Sequence, residues 1–200
     1  MKRSLCSLVA LGLLVGVTGQ AMAQPSYSFT LLDVPGSSKA SAVALGINAS
    51  GQIVGSYSDA AYLHHGFLLD QGNYTTLDAP DSYYTYASGI NDSGQIAGYY
   101  FAGTESHGFL LDQGGYTTLD VPGSNYTYAN GINASGQIVG TYYDATKGIH
   151  GFLLDQGNYT TLDVPGSTWT QAHAINDSGQ IVGSYSDGAG QHGFLATPVP

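Results

Sequence analysis

Four histidines stand at matching places in this chain: His65, His107, His150 and His192, each opening a His-Gly-Phe-Leu run. Four equivalent imidazoles could form a ring and hold a transition metal. The simpler use is a local hydrogen bond at the start of a strand, and that is the expectation, so no metal site is assigned. Asp33, Asp78, Asp120 and Asp163 recur in the same way, each just before a turn, and read as caps. Glu105 is the only glutamate. A glycosidase of the paired-carboxylate kind would need an aspartate pair with one member raised in pKa by burial. The chain has no Gly-x-Ser-x-Gly, no His-Glu-x-x-His, no phosphate-cradling glycine loop and no calcium-loop aspartate series. No catalytic residue and no cofactor are therefore assigned. A second kind of chemistry is stacking. Tyr62, Tyr83, Tyr84, Phe101, Tyr126 and Trp169 stand among Ser, Asn and Asp residues. Such aromatics suit the faces of sugar rings or a protein partner; the competing use is packing between neighbouring repeats.

The elements that must position these residues come from one repeated unit. Gly131-Ile-Asn-Ala-Ser-Gly-Gln-Ile-Val-Gly140 has near copies at 46–55, 89–98 and 174–183. Spacings between successive landmarks run from 42 to 45 residues. Periods of this size signal propellers or other repeat arrays, because one such unit cannot bury its own apolar surface. Each unit reads as four strands. In the second unit these are Ala87–Asn91, Gln95–Tyr100, His107–Leu111 and Tyr116–Asp120. Asn-x-Ser-Gly makes the first turn, and this is the plain reading of its match to a glycosylation signal. Asp-Gln-Gly makes a hairpin, and Val-Pro-Gly-Ser a type II turn. The third strand is apolar on both faces and needs cover on both sides.

The ends complement each other. Phe29–Asp33 is a fourth-strand segment without preceding partners, and His192–Leu195 is a third strand without a fourth. The expected fold is all-β: a four-bladed β-propeller over residues 24–200, closed by the N-terminal strand, with an open β-repeat array or a β-prism as alternatives. Small residues should line the inner strands: Ala44 and Gly46, Ala87 and Gly89, Ala129 and Gly131, Ala172 and Ala174. The variable connectors then share one face with the aromatic candidates, while the uniform turns occupy the other.

Residues 1–23 read as a signal peptide: Lys2 and Arg3, an apolar run from Leu5 to Val17, and Ala21-Met22-Ala23 as the cleavage site. Cleavage removes Cys6, the only cysteine, so the mature chain has no thiol chemistry. It also leaves two lysines, Lys39 and Lys147, against fourteen acidic residues, a net charge of −12. Such acidity disfavours nucleic acid and anionic membranes as partners. A secreted monomer without a membrane anchor is expected.

The pattern Gly-Ile-Asn-x-Ser-Gly-Gln-Ile-Val-Gly…His-Gly-Phe-Leu…Tyr-Thr-Thr-Leu-Asp-x-Pro-Gly resembles the HAF-type probable extracellular repeat of exported bacterial proteins. The resemblance covers nearly all of the mature chain. It implies export and repetition, and brings no catalytic residues. The chain lacks the Val-Pro-Glu-Pro sorting tail of many such proteins, so release is expected. The functional expectation is a binding or interaction module whose ligand, a glycan or a protein, meets the variable-loop face. An enzyme acting on extracellular polysaccharide and a matrix component without a discrete ligand are the other readings. Sites that break the repeat are Lys39, Tyr62, His64, Glu105, Lys147, Trp169 and His173.

Overall fold

The computed structural model describes residues 26–38 and 41–199. The expected leader and Lys39 lie outside the described residues. Among the described residues every regular element is a strand. The first unit holds β1 (Val43–Ile47), β2 (Ile53–Ser58), β3 (His64–Asp70) and β4 (Asn73–Leu77). The second holds β5 (Tyr84–Ile90), β6 (Ile96–Ala102), β7 (Glu105–Asp112) and β8 (Gly115–Leu119). The third holds β9 (Ser124–Ile132), β10 (Ile138–Asp144), β11 (Ile149–Asp155) and β12 (Asn158–Leu162). The fourth holds β13 (Trp169–Ile175), β14 (Ile181–Ser186) and β15 (Gln191–Ala196). Each unit is an antiparallel meander. Single parallel bridges, His64 to Tyr84 and Ser106 to Tyr126, join the first three into one mixed sheet, and β13–β15 form a separate antiparallel sheet.

The turns explain the repeated letters. In the first turn of the second unit, the Asn91 Oδ1 accepts from the backbone N–H of Ser93 and Gln95, and Gly94 takes φ 79°. Its Nδ2 donates to the Gln95 side chain and also to the carbonyl of Asn133 in the next unit. Asn48 donates likewise to Asn91, and Asn133 to Asn176, so the asparagines form a ladder across all four units. The hairpin between third and fourth strands is a two-residue Gln-Gly loop. Gln71, Gln113 and Gln156 each sit at φ 48°, followed by glycine at positive φ, as a type I′ turn requires. The Pro-Gly turns close with Ser124 N–H donating to the Val121 carbonyl at 3.0 Å, while Asp81 at φ 58° takes the glycine's place in the second linker.

A different glycine sits inside each second strand. A Cβ on Gly98 would lie 2.6 Å from the Phe109 ring and against the Tyr86 carbonyl. Gly55, Gly140 and Gly183 face Phe67, Phe152 and Phe194 in the same way. The first strand carries a register shift beside this contact, between Ala87 and Gly89.

The core lies between units, as a repeat with both strand faces apolar must arrange it. Val54 and Leu77 of the first unit cluster with Ala87, Ile90, Ile96 and Phe109 of the second. Ala97, Leu119 and Val121 meet Ala129, Ile132, Ile138 and Phe152 of the third. Val139 and Leu153 meet Ala172, Ile181 and Phe194 of the fourth. The small inner residues are in contact along the array. A Cβ on Gly46 would come 3.2 Å from the Gly89 Cα, one on Gly89 3.4 Å from the Gly131 Cα, and one on Gly131 3.2 Å from the Ala174 Cα.

Among the described residues the expected ring closure is not detected. Phe29–Asp33 carries no strand, and β15 is hydrogen-bonded to β14 alone. The end units keep bare apolar surface instead. Ile47 is 68% exposed where its counterparts Ile90 and Ile132 are buried, and Val182 is 46% exposed where Val54 and Val139 are fully buried. Within the described part of residues 32–199, three copies of one interface join the four units.

Candidate functional site

Four of the six aromatic candidates do not lie in the connectors where the sequence placed them. Phe101 is in β6, and Tyr84, Tyr126 and Trp169 begin or run within β5, β9 and β13. Only Tyr62 and Tyr83 are in connectors. The reason is alternation. In Tyr84-Thr85-Tyr86-Ala87, Thr85 and Ala87 are fully buried between units and the tyrosines take the other face. Tyr126-Thr127-Tyr128-Ala129 repeats this in β9. Cross-strand register then sets Tyr84 opposite Phe101, Tyr86 opposite Tyr99, and Tyr126 opposite Tyr143.

These pairs build one aromatic strip. Tyr83 lies 4.8 Å from Tyr84 and 6.2 Å from Phe101, ring centroid to centroid. Tyr86 stacks on Tyr99 at 4.8 Å and 18°. Tyr99 meets Tyr128 edge-on at 4.9 Å, which joins the second unit to the third. Tyr143 continues the strip to Tyr126 at 5.7 Å. From the first unit, His64 stacks on Tyr86 at 5.2 Å. Of the six expected residues, Tyr83, Tyr84, Phe101 and Tyr126 belong to the strip. Tyr62 does not: it projects from its loop, 77% exposed, with φ 63°. Trp169 lines a separate groove of 210 Å³ beside Pro165 and His150.

At the end of the strip is a cleft of about 280 Å³, lined by Tyr99, Tyr128, Asn130, Thr141, Tyr143, Gln171 and His173. Its polar wall is held in place. The Asn130 Nδ2 donates to the Ala172 carbonyl at 2.8 Å, and the His173 Nε2 is 2.9 Å from the Ser184 hydroxyl. Burial pushes the Tyr99 phenol up to about 12, helped by its neighbours Tyr86 and Tyr128. Burial raises Tyr86 and Tyr128 as well. These hydroxyls are therefore neutral, able to donate and accept. Tyr86, Tyr99, Tyr128, Tyr143 and Asn130 are not among the residues the sequence singled out; Tyr99, Tyr143 and Asn130 read as strand positions, and Tyr86 and Tyr128 as the last residues of connectors. The signal was present: Tyr86 and Tyr128 stand where the other units have Val43 and Gln171, and Asn130 stands where they have Leu45, Ser88 and His173.

The repeated histidines serve their own units. The Nδ1 of His65, His107 and His150 lies 2.8, 3.0 and 2.9 Å from a carboxylate oxygen of Asp78, Asp120 and Asp163. The Nε2 of His65, His150 and His192 faces Asp59, Asp144 and Asp187 at 3.4–3.5 Å. Those three aspartates close the connectors after the second strands. The Leu63 N–H holds the Asp59 carboxyl below its ordinary range, the Thr146 hydroxyl does so for Asp144, and the Ala189 N–H for Asp187. That direction is opposite to the one a general acid needs. Among the described residues, no group of three or more His, Cys, Asp or Glu side chains is placed to hold a metal ion, and no helix is long and apolar enough to cross a membrane. No protein-family model matches the chain, and no curated protein matches it as a relative.

Proposed function

We propose that this chain is an exported, repeat-built binding module that holds an extracellular glycan in the cleft at Tyr99, Tyr128 and Tyr143. One observation carries the reading: on one face the second and third units bear a run of aromatics, Tyr84, Tyr86, Tyr99 and Phe101 then Tyr126, Tyr128 and Tyr143, where the fourth unit has Trp169 alone and the first has none at these strand positions. At the position of Tyr99 the other units have Ser56, Thr141 and Ser184; at that of Phe101 they have Ser58, Tyr143 and Ser186. Strand pairing does not need these rings, since the first and fourth units pair their first two strands with serines at the positions of Tyr99 and Phe101. Ring faces for stacking, beside an amide, an imidazole and neutral phenols for hydroxyl groups, are the chemistry that a pyranose ring asks for. The acidic chain favours neutral over uronic-acid sugars. The leader and the repeated pattern support export, and the stacked inner strands support propeller-type blades. A glycan array probed with the mature chain tests the reading, followed by a reducing-end assay on any sugar retained. Retention without cleavage supports a binding module. Cleavage would make the chain an enzyme, and neither retention nor cleavage would leave a scaffold.

A further inference from the structure

We propose that the bare face of the fourth unit is the docking site for a second copy of this chain, joined head to tail, with the Ser28–Asp33 segment of that copy added to β15 as a fourth strand. The internal interfaces define what belongs there. In the first three units, a fourth-strand tyrosine packs on the third-strand phenylalanine: Tyr74 on Phe67 at 5.8 Å, Tyr116 on Phe109 at 5.3 Å, Tyr159 on Phe152 at 5.7 Å. Each of those phenylalanines is at most 1% exposed. Phe194 is the fourth, and it is only half-buried. Beside it, where such a tyrosine would sit, is a mainly apolar groove of about 280 Å³ between the Leu162–Pro165 linker and Phe194–Ala196.

The chain carries one more segment of fourth-strand type. Phe29-Thr30-Leu31-Leu32-Asp33-Val34-Pro35-Gly36-Ser37 matches Tyr159-Thr-Thr-Leu-Asp-Val-Pro-Gly-Ser167. Val34 already holds its internal place, buried against Tyr57 and Phe67 as Val121 is against Phe152. Phe29 and Leu31 are 96% and 81% exposed. The rest of the joint is equally complementary. Val182 and Leu195, bare on the fourth unit, correspond to Val139 and Leu153, which pack on the following unit. Ile47, bare on the first unit, corresponds to Ile90 and Ile132, which receive the preceding one. A fourth joint of the same kind needs nothing new except a partner. The chain's own first and fourth units leave these faces open, so a second copy can fill them without rearranging the array. By analogy with β11 and β12, Phe29 would stand opposite Ala196 and Leu31 opposite Phe194, antiparallel. Strand addition of this sort draws affinity from main-chain hydrogen bonds and selectivity from the side-chain pocket. Head-to-tail joints give closed rings or filaments according to whether the rotation closes. The proposal departs from the monomer expected from the sequence.

The test is the solution mass of the mature chain by sedimentation velocity over a concentration series. Two variants accompany it: Phe29→Asp, which spoils the donated strand, and Leu195→Asp, which spoils the receiving face. Both residues are exposed, so each variant should fold, as circular dichroism and an unchanged melting curve would verify. Wild type should sediment as a dimer or larger, and each variant alone as a monomer. An equimolar mixture of the two retains one intact joint and should give a one-to-one dimer. A monomeric wild type would overturn the proposal; protection of the Phe29–Leu31 amides from exchange in that monomer would indicate closure within one chain. Failure of the variant mixture to pair would overturn it equally. Neither result bears on glycan binding, since neither variant touches the aromatic cleft.

Discussion

A single missing carbon decides much of this fold. At Gly98 the strand must pass under the Phe109 ring and beside the Tyr86 carbonyl, and a Cβ has no room there. Both obstacles are packed, so neither can give. Gly98→Ala should cost about 2–3 kcal/mol, read as a lower denaturation midpoint. Gly115→Ala, where the nearest atom to a Cβ is 3.5 Å away, should cost far less. The tyrosines offer a second reading at this scale. Tyr99, Tyr116 and Tyr159 are each raised by burial to about 12, from an ordinary value of 10.0. A phenol whose folded pKa is raised contributes stability that is full below the unfolded value and lost as pH climbs through the folded one. The chain should therefore lose stability between pH 10 and 12, and a phenolate absorbance titration should show a late-ionising class that disappears in denaturant. The sequence repeats this glycine in every unit without revealing its cause. The sequence places Gly98 inside the second strand, and only the phenylalanine laid across it from the third strand explains why a glycine stands there.

At the scale of elements, the Asn-x-Ser-Gly turn does more than reverse the chain. Its asparagine caps the turn and also reaches the next unit. Asn91→Ala would remove two acceptor contacts and two donor contacts, and leave the Asn133 carbonyl with the Gly136 N–H alone. A loss of about 3 kcal/mol is expected, and hydrogen exchange should rise in the third unit's first turn as well as in the second's. If the turn acted only locally, exchange would rise in the second unit alone. Turns and the pairing within each unit were legible because each is encoded by neighbours in sequence, whereas the expected pairing of Phe29–Asp33 with the last unit is not detected among the described residues. The lengths of the strands were not legible. β5, β6 and β9 run further toward the variable connectors than the turn signals suggest, because facing tyrosines pair across them. That extension moved Phe101, Tyr84 and Tyr126 from loops onto strands and built the aromatic strip.

For the whole molecule, the repeat supplies its own adhesive. Three internal interfaces use one set of residues, and the bare outer faces of the first and fourth units are the two halves of a fourth. The sequence showed that the ends are complementary, since Phe29–Ser37 spells a fourth strand. It did not show which copy of the chain would be the partner, because pairing within and between chains uses the same letters. Tyr99, Tyr128, Asn130 and His173 each differ from their counterparts in other units, and they meet around one cleft. Replacing Tyr99 and Tyr128 by alanine removes the stacking faces while leaving turns, glycines and strand-glycine contacts intact. Each ring should be worth about 1–2 kcal/mol of binding, so the pair should weaken retention by roughly a hundredfold. Tyr62→Ala, on an exposed loop away from the strip, serves as the control. The direct measurement is a glycan array of neutral and uronic-acid oligosaccharides probed with wild type, the Tyr99→Ala/Tyr128→Ala double variant and Tyr62→Ala. Retention of neutral sugars by wild type and Tyr62→Ala, lost in the double variant, is the predicted result. Equal retention by all three proteins, or retention lost only with Tyr62, would contradict a glycan site in the aromatic cleft.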